Sequence, residues 1–171
     1  IKPKYGNKAT LLFTDTDSLA YCIETKDIYK DMRENPELFD FSNYPVDHPN
    51  YSVKNKKVVG LFKDESDGRC LEKFVGLKSK MYSLKYRDKD KNTCKGVQKC
   101  VAKNKISFED YYNTLKNGIS MRHTIKRIMS RKHDISLISQ NKVSLSAYDD
   151  KRWVCDDGIS TYAYGHYKIK K

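Results

Sequence analysis

No C-x-x-C pair occurs among the five cysteines, Cys22, Cys70, Cys94, Cys100 and Cys155. Their odd number and irregular spacing fit neither a zinc site nor a secreted disulfide framework, and point to reduced thiols inside a cell. No apolar run approaches the roughly 18 residues that a membrane-spanning helix requires, and no signal peptide is visible. The four histidines, His48, His123, His133 and His166, do not cluster at ligand spacing and read as surface or packing residues. With 171 residues there is length for one ordinary domain or two small ones. The sequence opens on Ile1 rather than methionine, which suggests a piece of a longer protein.

Charge is abundant and lopsided. Lys and Arg number 6 against 9 Asp and Glu over residues 1–50, 14 against 6 over 51–100, and 14 against 7 over 101–171, so the segments carry −3, +8 and +7. An acidic start followed by a strongly basic remainder suits a metal site that serves a polyanion. Basic residues Arg122, Lys126, Arg127, Arg131 and Lys132 form a candidate phosphate-contacting surface or a solvated face.

The acidic start holds the most informative stretch, Phe13-Thr14-Asp15-Thr16-Asp17-Ser18. It lies between two β-rich apolar runs, 9–12 and 19–23, which predicts a hairpin with the carboxylates at its tip. Residues i and i+2 of a strand face the same way, so Asp15 and Asp17 could serve one hard divalent cation. An Asp-rich turn without metal is the plain alternative.

Further along, Lys26 to Asn35 reads as a short surface helix entered at Asp27 and ended by Asn35-Pro36. Residues 39–49 read as loop, pinned by Phe39, Phe41 and Tyr44. Val58 to Glu65 is predicted as a strand, Ser66-Asp67-Gly68 as its turn and Arg69 to Leu77 as its partner. Lys78 to Tyr86 alternates, with Lys80, Tyr82, Leu84 and Tyr86 on one face. Arg87 to Asn92 is a charged candidate boundary, and 96–103 a short basic helix. Ser107 and Asp110 predict a capping box, Phe108, Tyr111, Tyr112 and Leu115 a core stripe, and Gly118 the helix stop. Met121 to Met129 fits either helix or strand, and 135–147 reads as one bent strand or two short ones.

The string Phe-Thr-Asp-Thr-Asp-Ser at 13–18 closely resembles the Tyr-x-Asp-Thr-Asp-Ser signature of family B DNA polymerases, with Phe13 in place of tyrosine. Lys80-Met81-Tyr82 is similar to the Lys-x-Tyr motif that follows it in that family. Residues 39–49, 141–146, 149–152, 157–159 and 163–166 resemble the protein-primed branch found in Polinton (Maverick) elements and related viruses. The resemblance implies an α+β fold: the C-terminal part of a polymerase palm over 1–88, carrying the hairpin, and a small mixed α/β thumb with its tail over 89–171. It implies two-metal nucleotidyl transfer with Mg2+ or Mn2+, Asp17 as metal ligand, and Asp15 beside the primer end. It also implies that Lys80 and Tyr82 hold the primer terminus; Thr16, Ser18 and Lys78, and Arg127, Arg131 and Lys132 of the basic surface, are the further candidate DNA contacts. The implied partners are primer–template DNA, deoxynucleoside triphosphates, the N-terminal part of the polymerase and a terminal priming protein; a membrane is not among them, and the implied site of action is the host nucleus.

The family's Asp-x-x-Ser-Leu-Tyr-Pro and Asn-Ser-x-Tyr-Gly strings do not occur, so this stretch alone is not expected to polymerise. Two other readings stay open. One is a catalytically silent DNA-binding module; the other is a D-x-D glycosyltransferase, which leaves the basic second half without a purpose.

Overall fold

The computed structural model describes residues 1–148 and 152–169. Asp149, Asp150, Lys151, Lys170 and Lys171 lie outside the described residues. The fold is mixed α+β, built of small, mainly antiparallel sheets and short helices. Contacts divide it into two units, Ile1–Phe74 with Leu84–Lys89, and Val75–Ser83 with Asp90–Lys171. No helix among the described residues is long and apolar enough to cross a membrane.

In the first unit a four-residue helix, α1 (Lys2–Tyr5), precedes the antiparallel pair β1 (Ala9–Asp15) and β2 (Ser18–Ile23). The predicted hairpin is present, with a bulge between Leu11 and Phe13. Phe13 stacks on Phe74 at 5.6 Å between ring centres, which gives this two-stranded ribbon an anchor it could not supply alone. Helix α2 (Ile28–Arg33) starts where expected: the Asp27 carboxylate accepts from the Lys30 N–H at 3.0 Å. Its Asp31 carboxylate accepts from Tyr5 Oη (2.9 Å) and Thr25 Oγ1 (2.6 Å) and pairs with Lys4. Burial, with Asp31 beside it, pushes the Tyr5 phenol up to about 12.

The next stretch departs from the sequence expectation. Only Phe62–Lys63 of the predicted 58–65 strand is extended (β4), and it pairs in parallel with a two-residue strand, β3 (Phe39–Asp40), inside the expected loop. The organiser is the buried Asp40 carboxylate. It accepts from the backbone N–H groups of Ser42 (2.9 Å) and Lys57 (3.1 Å) and from Lys63 Nζ (3.2 Å). Drawing Lys57 inward requires a turn, taken by positive φ at Lys57 and Gly60, and Val58 and Val59 are left exposed. The expected aromatic pins are present: Phe41 and Tyr44 are buried, Phe39 stacks on Phe41, and Tyr44 stacks on His48 and donates to Asp64. Gly68 (φ 78°) closes against this cluster, where an added Cβ would lie 3.0 Å from the His48 ring.

Residues 69–77 do not pair with β4. Instead β5 (Leu71–Lys78), β6 (Met81–Tyr86) and β7 (Asp90–Cys94) form a three-stranded sheet in that order. In the second unit, α3 (Lys99–Asn104) and α4 (Phe108–Asn117) follow. The capping box of α4 is formed in both directions between Ser107 and Asp110, and Gly118 ends the helix in the left-handed conformation (φ 63°, ψ 22°). Its buried stripe is narrower than predicted: Phe108, Tyr111 and Thr114 face the core, whereas Tyr112 and Leu115 are 44% and 49% exposed. The core also takes Val75, Met81, Cys94, Val101, Ala102, Ile106, Ile125 and Leu145.

The ambiguous region is strand throughout. β8 (Met121–Arg131) and β9 (Asp134–Leu145) pair antiparallel from Met121↔Leu145 to Arg131↔Asp134. At its base Leu145 and Ile125 are buried, while the outer part is open to solvent on both faces; Ile135 is 77% exposed. A last small hairpin joins β10 (Arg152–Val154) and β11 (Thr161–Ala163).

Candidate functional site

The hairpin tip is tight. Asp15 and Ser18 form the closing pair of β1 and β2, leaving Thr16 and Asp17 as a two-residue loop. Only the first of these has positive φ, Thr16 at 62°, which is the pattern of a type II′ turn. Glycine normally fills that position. A β-branched residue there clashes with its own backbone, at a cost on the order of 1–3 kcal/mol. The tip is thus strained where the two carboxylates are. Asp15 is half-buried at the end of β1, and Asp17 is exposed at the turn. The Thr16 hydroxyl donates to Asp15 Oδ1 at 3.3 Å, and Ser18 is half-buried. Asp17 belongs to the turn rather than to a strand, so the strand alternation invoked from the sequence does not govern its direction.

Replacing Thr16 by glycine is expected to relieve this strain and raise the melting temperature of the chain by about 2–4 °C. A lowered midpoint in thermal unfolding would show that the threonine fits its backbone without cost.

As a metal site the tip offers two carboxylates and no more. Among the described residues no group of three or more His, Cys, Asp or Glu side chains comes together in a way that could hold a metal ion. Magnesium is commonly held by one or two carboxylates, with waters and substrate phosphates completing six oxygens. The donor set at Asp15 and Asp17 therefore fits one part of such a site.

The remaining predicted residues belong to the second unit. Lys80 is not on the face of a strand: β5 ends at Lys78, and Ser79 and Lys80 form the turn into β6, Lys80 with φ 57°. Its carbonyl accepts from the Lys95 N–H at 3.0 Å, which fixes the turn, and its side chain is exposed. Tyr82 follows, half-buried, in β6. Lys78 is half-buried and donates to the Tyr148 carbonyl at 3.0 Å, so it braces the fold.

Arg127, Arg131 and Lys132 lie toward the far end of the β8–β9 ribbon. Arg127 pairs with Ile138 and Arg131 with Asp134, around a turn of Lys132 and His133 that both have positive φ, 49° and 70°. This is the type I′ pattern. Opposed residues share a face, so Arg127 and Arg131 stand together with Met129, and Ile128, Ile135 and Leu137 stand on the opposite face. Met129, Arg131, Lys132, Asp134 and Ser136 line a shallow open cleft. Sequence reasoning missed the ribbon because Lys132-His133 lacks the Asn-Gly type of signal that announces such a turn. The available clue was the even spacing of apolar residues on either side.

Compared with family models, curated proteins and solved structures, the chain matches none.

Proposed function

We propose that this chain is the C-terminal palm and thumb part of a protein-primed family B DNA polymerase of the Polinton type, acting on a primer 3′-hydroxyl. The observation that carries the reading is the placement of the Phe-Thr-Asp-Thr-Asp-Ser string, whose second aspartate occupies a strained two-residue β-turn. Backbone strain is retained where surrounding structure over-determines it, and it concentrates at functional sites. Asp17, with Asp15 beside it, would hold Mg2+ or Mn2+, which when bound activates the primer hydroxyl and steadies the pyrophosphate leaving group. The chain's own contribution is positional. Lys80 offers an ammonium to a primer phosphate and Tyr82 a phenol to the primer end, while Arg127, Arg131 and Lys132 offer cations to the duplex backbone. An upstream palm segment would supply the other metal-binding carboxylate and the nucleotide-binding helix. Deoxynucleoside triphosphates and a terminal priming protein complete the list of partners, and the host nucleus is the proposed site of action.

Binding of primer–template DNA to the chain, followed across a salt series, tests this. Lys80→Ala is expected to weaken binding severalfold and to reduce the slope of log K against log salt by about one. An unchanged slope would remove Lys80 from the DNA surface. Binding indifferent to Mn2+ would favour the silent DNA-binding module. Heat released by a manganese nucleotide-sugar, with none from primer–template, would favour the glycosyltransferase.

A further inference from the structure

The β10–β11 hairpin carries a feature that polymerase chemistry does not use. Trp153 pairs across the hairpin with Tyr162. The Tyr162 ring stacks on His166 at 4.4 Å and 7°, and His166 stacks in turn on Tyr167 at 4.6 Å and 29°. Three planar rings therefore run face to face, and the outer one, Tyr167, is 85% exposed. Lys168 Nζ sits over that outer ring, 5.9 Å from its centre, an exposed ammonium that can turn from the ring to the phosphate of a stacked nucleotide.

Local hydrogen bonds hold the platform in shape. Arg152 Nε donates to Thr161 Oγ1 at 2.6 Å and its Nη2 to the Thr161 carbonyl at 3.0 Å. The Asp157 carboxylate accepts from the N–H groups of Ile159 and Ser160 at the hairpin loop. The His166 N–H donates to the Ala163 carbonyl, and His166 Nδ1 accepts from the Lys168 N–H at 3.3 Å. That last bond keeps the ring aligned between its two tyrosines.

We propose that the outer face of Tyr167 binds single-stranded nucleic acid by stacking an unpaired base as the next ring of this column. The geometry selects the ligand. An aromatic cage for a methylated ammonium needs rings set around a void, whereas these rings are stacked against one another. A base inside a duplex has both faces covered, so an unpaired base extends the column at any point of a strand, whereas a duplex offers an open face at its ends alone. Charge complementarity favours nucleic acid over an apolar peptide: Lys168 stands at the outer ring, in a chain of net charge +12. Cationic side chains beside exposed rings are the usual design of strand-binding surfaces that tolerate any sequence.

The test uses the whole chain, a labelled oligothymidylate and a fully paired duplex closed at both ends by non-nucleotide linkers, with a similar number of phosphates, at one salt concentration. Tyr167→Ala is expected to lower affinity for the single strand about tenfold or more and for the duplex less than twofold. Tyr167→Phe, which keeps the ring, is expected to retain single-strand affinity. Trp153 is the sole tryptophan, and its emission should change on addition of the single strand. Equal losses on both DNAs would overturn the proposal, as would Tyr167→Phe falling as far as Tyr167→Ala, or no single-strand binding by the unaltered chain. An exposed side chain can be shortened without unfolding the protein, so loss of fold does not confuse the result. Single-strand affinity is read without added metal and without primer extension, so the stacking site and the polymerase reading can fail separately.

Discussion

Asp17→Ala, placed in a polymerase that carries this chain as its C-terminal part, is expected to abolish primer extension, with a loss on the order of a thousandfold or more. A metal-held carboxylate contributes several kcal/mol to the charge balance of phosphoryl transfer, and each 1.36 kcal/mol is about tenfold in rate. Asp17 is exposed at the turn, so its removal does not empty a core position. Asp17→Asn sharpens the experiment by keeping the shape and removing the charge. Its melting temperature should match that of the unaltered chain, while enhancement of water relaxation by Mn2+ in the presence of primer–template falls. Lys80→Ala in the same enzyme should instead raise the primer concentration needed for half-maximal rate. Normal extension by the Asp17→Ala enzyme would end the polymerase reading, because Asp15 alone leaves the tip with one carboxylate where the reading requires both.

The largest effect on stability is expected at Asp40. Its carboxylate is buried, and it gathers two backbone N–H groups and the Lys63 ammonium from three points of the chain. Asp40→Ala leaves those donors facing a void, at about 3 kcal/mol. For a chain of this length that is a fall of roughly 6–12 °C in the melting temperature. Burial alone would push this carboxyl up. The hydrogen bonds from Ser42, Lys57 and Lys63 outweigh it and hold the group well below the usual carboxylate range. The unfolded chain therefore takes up this proton at a higher pH than the folded one does. The stability Asp40 contributes is complete above about pH 5 and is lost as pH falls through about 4 toward its depressed native value. Asp31, lowered chiefly by the Thr25 hydroxyl and further by Tyr5 and Lys4, adds a smaller loss in the same direction. Thermal melts between pH 3 and 7 should thus show a shallower acid decline for Asp40→Asn than for the unaltered chain. Parallel declines would mean that the Asp40 carboxylate carries no net charge advantage in the fold.

The sequence by itself determined the features whose partners lie within a few residues. The hairpin around 13–18, the Asp27 cap, the reciprocal Ser107–Asp110 box and the Gly118 stop are each closed by local hydrogen bonds or local steric limits. Tertiary structure decided the rest, because the deciding partners are distant. Asp40 reaches 17 and 23 residues ahead to Lys57 and Lys63, and this bond set, invisible to periodicity, shortens the expected strand at Val58 to two residues. Lys80 alternates correctly for a strand, yet the Lys95 amide holds its carbonyl in a turn. Met121 to Met129 satisfies a helical spacing, and only eleven residues of cross-strand pairing with β9 make it a strand. A hydrophobic pattern fixes which side chains want cover. It cannot say which distant backbone will supply the hydrogen bonds, and that choice sets where each side chain of the site finally stands.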